Sequence, residues 1–455
     1  MDRIPVPSLL REIASVFSSR GRKAYLVGGA VRDILLKKEP GDWDIATDAP
    51  PEEVRTFFRR VIPTGIEHGT VTIHYKGAQI ECTTFRTEEG YSDGRRPDAI
   101  RYAATVEEDL SRRDFTMNAI AVSLPDGTIV DPEGGRADIK AGIIRTVGRA
   151  DERFAEDGLR PLRAVRFAAQ LGFAVDPGTL AAIKPALPVS ARVARERVRD
   201  ELVKALGSTR PSLCFRLMED TGLLGLFLPE LARCRGVEQR GNHRLDVLDH
   251  LLLACDLAPA GDLVVRLAAL LHDVGKPDVR VEDGSGGYTF HRHEARSAEI
   301  ALAVLDRLRF PKKTAEEVAH LVREHMFHYE DRWTDAAVRR FLVRVGPESL
   351  DRLLSLRLAD TGAISGVPAG PETLLPLRKR VDAVIAERAA LSIADLAVNG
   401  NDLAALGVPR GPQLGIILRE LFETALDDPA LNERARLLEI AERIWVDRMG
   451  GAGGA

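Results

Sequence analysis

Three groups of residues in this 455-residue chain have the types and spacing of working chemistry. The first is Leu26-Val27-Gly28-Gly29-Ala30-Val31-Arg32-Asp33, followed by Asp42-Trp43-Asp44-Ile45. An apolar run ends in Gly28 and Gly29 and passes into the helical spacing of Val31, Ile34 and Leu35. Paired glycines at such a junction let backbone N–H groups approach a phosphate, and a helix N-terminus favours negative charge there. Residues two apart in a strand share a face, so Asp42 and Asp44 should project together while Trp43 and Ile45 face the core. Adjacent carboxylates repel, and a divalent cation is the usual reason to keep them together. A phosphate cradle beside an acidic, metal-holding pair suggests nucleotide chemistry.

The second group lies downstream of that pair. Val71 to Tyr75, Lys76-Gly77-Ala78 and Gln79 to Phe85 read as a β-hairpin. Glu81, Thr83 and Phe85 share a face of its second strand, so Glu81 points either toward the same metal or simply to solvent. Arg86 to Pro97 is polar, with Gly90 and Gly94, and reads as a mobile loop. In Arg112-Arg113-Asp114-Phe115-Thr116-Met117-Asn118-Ala119, the arginines with Asp114 and Asn118 suit a triphosphate and sugar, or equally a helix-capping cluster. In Glu156-Asp157-Gly158-Leu159-Arg160-Pro161-Leu162-Arg163-Ala164-Val165-Arg166-Phe167, Asp157 and Arg160 are three apart and should share a helix face, with Arg163 and Arg166 drifting around it. A surface ion pair is the plain alternative. Proline is tolerated only in a first helical turn, so Pro161 places the regular helix start near Arg160.

The third group is histidine-rich. His250, the pair His272-Asp273, then His293, His325 and Asp360 fall on expected helices. Imidazole and carboxylate ligands gathered this way suit a transition metal or magnesium with open positions for water. His291, His320 and His328 read as structural.

The elements that must position these groups divide at about Gly148. Short strands mixed with helices precede it, and an almost wholly helical pattern follows. The chain is too long for one core. No apolar run suits a bilayer, and Met1 to Leu10 lacks the layout of a signal peptide. The four cysteines, Cys82, Cys214, Cys234 and Cys255, form no C-x-x-C pair, which points to reduced thiols in a cytoplasmic protein. A formal net charge of −4 gives no bulk signal for nucleic acid, although arginine is dense from Arg145 to Arg166 and from Arg192 to Arg216. Asn399-Gly400-Asn401-Asp402-Leu403 reads as the start of a helix, and the glycine-rich Gly450 to Ala455 as disordered.

With these residues in place, the chain resembles, nearly end to end, the bacterial CCA-adding enzymes, tRNA nucleotidyltransferases of the second class grouped with bacterial poly(A) polymerases. The resemblance rests on the Gly28 to Asp33 turn with Asp42-x-Asp44, on Arg112 to Ala119, on Glu156 to Phe167 and on a tail like Val398 to Gly415. The middle part is similar to HD-type phosphohydrolase domains. The implied fold is α+β: a small mixed-sheet nucleotidyltransferase head (1–148), then an all-α neck that reads the nucleotide and binds RNA (149–240), an HD-containing body (241–366) and a tRNA-binding tail (367–455).

The resemblance implies that Asp42 and Asp44 hold Mg2+, with Glu81 beside them in the catalytic set. Gly29, Arg32 and Arg113 would meet the triphosphate, and Asp157, Arg160, Arg163 and Arg166 the incoming ATP or CTP. With Gly28, Asp114 and Asn118 these form the expected nucleotide-binding set. His250, His272, Asp273 and Asp360 would hold a divalent metal of the HD site, with His293 and His325 as ligands of a second. The expected reaction adds CMP, CMP and AMP to the tRNA 3′ end without a template. Cytosine and adenine both pair an exocyclic amine donor with a ring-nitrogen acceptor, which Asp157 and Arg160 could read, whereas uracil and guanine put a carbonyl where the amine should be. A loop of full length over Arg86 to Arg101 speaks against addition of CC alone. The alternatives are A-only addition, poly(A) synthesis, or an HD phosphohydrolase regulated by a nucleotide-sensing head.

Overall fold

Alternation of buried and open residues builds the first part of the chain into one sheet. The computed structural model describes residues 3–66, 69–89, 99–239, 245–284, 287–387 and 390–451. It begins with α1 (Ser8–Ser18), which buries Leu10, Ile13, Ala14 and Phe17 at helical spacing. There follow β1 (Ala24–Val27), α2 (Gly29–Leu35), β2 (Trp43–Thr47), α3 (Pro51–Phe57), β3 (Val61–Gly65), β4 (Thr70–Tyr75) and β5 (Ala78–Thr84). Next come β6 (Arg86–Glu89), β7 (Ala99–Tyr102), α4 (Val106–Ser111), β8 (Ala121–Ser123), β9 (Ile129–Val130) and α5 (Gly135–Ala141).

Seven strands form a mixed sheet in the order β3-β4-β5-β2-β1-β8-β9. Within it β2 and β5 run parallel and the other neighbours antiparallel. The β2–β5 register sets Asp44 opposite Glu81. The expected hairpin is β4–β5, and its two turn residues, Lys76 (φ 49°) and Gly77 (φ 84°), are both left-handed, the backbone that matches the twist of paired strands. Beneath the site a close-packed cluster joins Val27, Ala46, Phe85, Val106, Leu110, Ala119, Ala121 and Val147. β6 and β7 pair as a second hairpin. Residues 90–98, the heart of the loop expected over Arg86 to Pro97, lie outside the described residues.

Helices then take over: α6 (Ala150–Glu156), α7 (Arg160–Leu171), α8 (Pro177–Ala181), α9 (Leu187–Ser190), α10 (Arg195–Leu206), α11 (Ser212–Thr221), α12 (Leu223–Phe227) and α13 (Pro229–Ala232). The almost wholly helical expectation needs small corrections. β10 (Ile143–Ile144) pairs with β11 (Ala174–Val175), and a later hairpin joins β12 (Val281–Glu282) and β13 (Tyr288–Thr289). A larger correction concerns Asp157 and Arg160, which do not share a helix face. Asp157 ends α6 in extended backbone (φ −137°, ψ 109°), and α7 starts at Arg160 with Pro161 in its first turn. The proline that fixes the start of α7 also keeps Asp157 out of it.

The chain divides into two compact units, Met1–Arg233 with Val304–Phe310, and Cys234–Ala303 with Pro311–Ala455. The second contains α14 (Val247–Leu257), α15 (Leu263–Leu271), α16 (Lys276–Val279), most of α17 (His293–Arg307), α18 (Lys312–Glu324), α19 (Asp335–Val345) and α20 (Leu350–Ser365). It ends in α21 (Leu375–Ala386), α22 (Gly400–Ala405), α23 (Pro412–Asp427) and α24 (Arg434–Gly451). The expected start of α22 is a capping box between Asn399 and Asp402. The last helix runs to Gly451, into the stretch expected to be disordered, and residues 452–455 lie outside the described set. Among the described residues no helix is long and apolar enough to cross a membrane.

Gly135, the first residue of α5, touches the 3-10 turn Thr116–Asn118 so closely that an added Cβ would sit 2.1 Å from the Thr116 carbonyl oxygen. Gly135→Ala should therefore destabilise the protein by roughly 1–3 kcal/mol, the range for overpacking a close contact. Thermal denaturation checks this, and an unchanged Tm would contradict the packing described.

Candidate active site

The glycine turn is shaped by two demands at once. Gly28 has φ 72° and ψ −137°, a backbone that favours glycine. A Cβ there would lie 3.0 Å from Arg113 Nη1 and 3.5 Å from Asp44 Oδ2. The turn thus brings the expected cradle against both an acidic and a cationic side chain. Asp42 sits one residue before β2 rather than within it, and Asp44 near its start. Burial, then Glu81, push the Asp44 carboxyl up to about 6; Arg113 opposes them and Asp42 adds to the rise. Three carboxylates against one nearby guanidinium is a site short of positive charge, which suits a divalent cation. Magnesium usually takes one or two carboxylates and completes its shell with waters and substrate phosphates.

Arg113 and Arg112 are anchored by Asp109 of α4, at 3.3 Å and 2.7 Å. Buried Arg32 donates from Nη1 to Asn118 Oδ1 (2.9 Å) and pairs with Asp33 (2.8 Å). Asn118 Nδ2 donates to Asp114 Oδ1 (3.2 Å), and Arg163 Nη2 reaches Asp114 Oδ2 (2.7 Å). From Arg163 the chain of charges continues to Glu201 (3.6 Å), which also takes Arg166 Nε (2.7 Å) with both groups buried. Phe167 lies under three guanidinium groups, those of Arg166 (3.4 Å from its centroid), Arg32 (5.2 Å) and Arg163 (5.4 Å), a cation–π arrangement that spaces like charges. Five of the expected nucleotide-binding residues therefore belong to one connected network from α2 to α10.

The Arg160 N–H donates to the Asp157 carbonyl (3.0 Å), but the two side chains take different partners. Asp157 accepts from both Nη atoms of Arg197 (3.2 and 2.7 Å) and from the Leu159 N–H (3.0 Å). Arg160 is held by Glu156, the Arg153 carbonyl (3.0 Å) and the Arg112 carbonyl (3.4 Å). Between them, Gly158 lies so close to the α9 backbone that a Cβ would be 2.5 Å from the Val189 oxygen.

The second unit holds the histidine group. His250, His272, Asp273, His293, His325 and Asp360 are all buried. Two triads, His250-His272-Asp273 and Asp273-His293-His325, place their ligand atoms within 4.8 Å of one another. His272, His293 and His325 turn Nδ1 to the carbonyls of Ala269 (2.9 Å), Phe290 (2.8 Å) and Val322 (2.6 Å). That bond makes Nδ1 the donor and turns Nε2 toward the other members of the group, the usual arrangement behind a metal-bound imidazole. The Nε2 atoms of His250 and His272 are 3.1 Å apart and face Asp360 Oδ1 at 3.2 and 3.6 Å. Asp273 Oδ1 lies 3.1 Å from His293 Nε2, close enough for one cation to meet both. Burial, then neighbouring His272, lower the His325 imidazole to about 3, keeping it neutral and ligand-ready. His320 instead meets the Val345 carbonyl and His328 is exposed.

With this geometry described, the chain can be set beside known proteins. Residues 24–145 match the Poly A polymerase head domain, residues 172–234 the probable RNA and SrmB-binding site of polymerase A, and residues 240–361 the HD domain. The CCA-adding enzyme of Geobacillus stearothermophilus is 36% identical over 427 residues, covering 93% of this chain and 94% of that protein. The chain belongs to the CCA-adding enzyme family. It is a nucleotidyltransferase with an HD domain. The CCA-adding enzyme of Geobacillus kaustophilus reaches 50% identity over 212 residues, 47% of this chain and 52% of its own. The solved Bacillus stearothermophilus CCA-adding enzyme in complex with CTP superposes with a TM-score of 0.74 at 32% identity, covering 97% and 98% of the two chains.

As in a member of this family, α+β head and helical remainder follow the expected order. Asp109, Glu156, Arg197 and Glu201 hold the expected site residues but were not among them. Asp109 was detectable as the acid three and four residues before Arg112 and Arg113 on one helix; Arg197 and Glu201 had no local signal. Burial raises the Asp114 carboxyl, but Arg163 and Asn118 more than offset it and hold it at about 2. A carboxyl depressed on folding stabilises the fold above its ordinary value of 3.8, and that stability disappears as pH falls through about 2, an effect of roughly 2 kcal/mol. Asp114→Asn should therefore lose stability at pH 7 and show a shallower acid-denaturation slope between pH 4 and 2, read by urea unfolding at each pH.

Proposed function

We propose that this enzyme adds CMP, CMP and AMP in turn to the 3′ end of tRNA from CTP and ATP, with Asp42 and Asp44 as the Mg2+-binding pair and Asp157 and Arg160 as the base-reading pair. The observation that carries this is the connection of hydrogen bonds and ion pairs from Arg32 beside the glycine turn to Arg163 and Arg166 on α7. It ties the residues beside the glycine turn to the expected nucleotide-binding arginines of α7. The parts would be a catalytic head (1–148), a nucleotide-reading neck (149–240), an HD body (241–366) and a tRNA-binding tail (367–455), a division supported by the matched segments. The four cysteines are free and buried, consistent with a reducing, cytoplasmic setting.

In the reaction the tRNA 3′-hydroxyl oxygen forms a bond to the α-phosphorus while the bond to the bridging oxygen breaks and pyrophosphate leaves in line. Divalent ions held by Asp42 and Asp44 would lower the hydroxyl's proton affinity and neutralise the leaving oxygens. Glu81, opposite Asp44, adds negative charge that strengthens the hold on such ions. Gly28 and Gly29 give the triphosphate room against the backbone, and Arg32 and Arg113 offset its charge. Asp114 and Asn118 hold Arg163 and Arg32 in place. Asp157 accepts from the exocyclic amine of cytosine or adenine while Arg160 donates to the ring nitrogen.

At the second site we propose a bound divalent metal and phosphoester hydrolysis, supported by the imidazoles whose Nε2 atoms converge on Asp273 and Asp360. His250, His272, Asp273 and Asp360 would hold one ion, and His293 and His325 would help hold another.

Three tRNA transcripts ending before CCA, after C and after CC, each supplied with CTP or ATP, report the added lengths directly. Complete CCA is expected; A-only extension, or long A tails, would replace this reading. Asp44→Ala should abolish incorporation while leaving hydrolysis of a 2′,3′-cyclic nucleotide intact, and loss of both would sink the two-site account. Asp157→Ala should admit UTP and GTP more than it slows CTP; continued refusal of both would show that base choice lies elsewhere.

A further inference from the structure

One face of α10 is matched in charge to the nucleotide-reading segment. Arg197 and Glu201 lie one helical turn apart, so they project from the same side. Glu201 takes the arginines of α7, Arg166 at 2.7 Å and Arg163 at 3.6 Å, while Arg197 takes the aspartate before α7 through two bonds. The helix thus presents a cation to the reader's anion and an anion to its cations.

The bonds at Asp157 leave little of it free. A carboxylate offers about four lone-pair directions, two on each oxygen. Oδ1 receives the Leu159 N–H (3.0 Å) and Arg197 Nη1 (3.2 Å), and Oδ2 receives Arg197 Nη2 (2.7 Å). One acceptor direction on Oδ2 remains. The planar guanidinium fork also fixes the rotation of the carboxylate, which a single ammonium would not do.

We infer that Arg197 is a positioning residue for base selection: its fork locks Asp157 so that a single, fixed acceptor is offered to the exocyclic amine of the incoming nucleotide. This rests on the reading of Asp157 given above. Freed from the fork, the carboxylate can turn, and a water can bridge it to the carbonyl of uracil or guanine. Loss of Arg197 then relaxes choice more than it slows turnover, whereas loss of a mere brace slows correct and incorrect nucleotides alike.

The test uses the full-length enzyme and a tRNA transcript ending before CCA, with kcat and KM measured for CTP and UTP on Arg197→Ala, Arg197→Lys, Asp157→Ala and the double variant Arg197→Ala with Asp157→Ala. Arg197→Ala should lower the CTP-over-UTP ratio of kcat/KM by about tenfold or more, roughly what one bidentate contact contributes to discrimination. Arg197→Lys, which restores charge without the fork, should recover only part of it. In the Asp157→Ala background the Arg197 change should leave the ratio unmoved, because it acts through the carboxylate. A proportional loss with both nucleotides, or full recovery of the ratio in Arg197→Lys, would overturn the inference, as would an undiminished effect in the Asp157→Ala background. If Arg197→Ala fails to fold, the Lys variant carries the test, with a wild-type ratio counting against the inference. Should Asp157→Ala itself keep refusing UTP, the base-reading proposal fails, and that result is separate from an Arg197 variant that alone has no effect.

Discussion

The arrangement of this enzyme depends on Asp114, a mostly buried carboxylate shared between Asn118 and Arg163. Through Asn118 it reaches Arg32 beside the glycine turn, and through Arg163 it reaches Glu201 and Arg166. A charge so placed depends on its partners, since removing one member of a largely buried pair leaves the other uncompensated. The network is therefore held as a unit. The residues beside the glycine turn and the arginines of α7 would otherwise be free to drift against each other, and a misplacement of about 1 Å can cost a hundredfold in rate.

The two candidate metal sites solve different problems. In the head, burial and then the neighbouring Glu81 raise the Asp44 carboxyl to about 6 against the opposing Arg113, a setting that suits a cation arriving together with the nucleotide's phosphates. In the HD unit the ligands are already gathered, their imidazole tautomers fixed by backbone carbonyls. The first suits a metal that travels with its substrate, the second a resident one.

Much of this was legible in the sequence because the chemistry is written locally. Asp42 falls just before β2, so strand periodicity alone does not align it with Asp44, but the glycine turn, the hairpin and the His-Asp pair each rest on residues a few positions apart. Pro161 announced the start of α7 for the same reason. The error about Asp157 and Arg160 came from extending helix periodicity through the proline. The partners that hold the readers were not legible at all: Arg197 lies 40 residues from Asp157 and Glu201 35 residues from Arg166. Nothing in a run of mixed charges says which of them will meet; that depends on how α10 packs against α7.

The central claim is that Arg32 beside the glycine turn and the nucleotide-binding arginines of α7 are mechanically one site, joined at Asp114. A double-mutant cycle on kcat/KM for CMP addition, combining Arg32→Lys with Arg163→Lys, measures this directly. Residues that share a network typically couple by about 0.5–3 kcal/mol, whereas independent ones add to within about 0.5 kcal/mol. The account predicts coupling of about 1 kcal/mol or more between these two arginines, which do not bond each other but meet through Asn118 and Asp114. Simple additivity would contradict it.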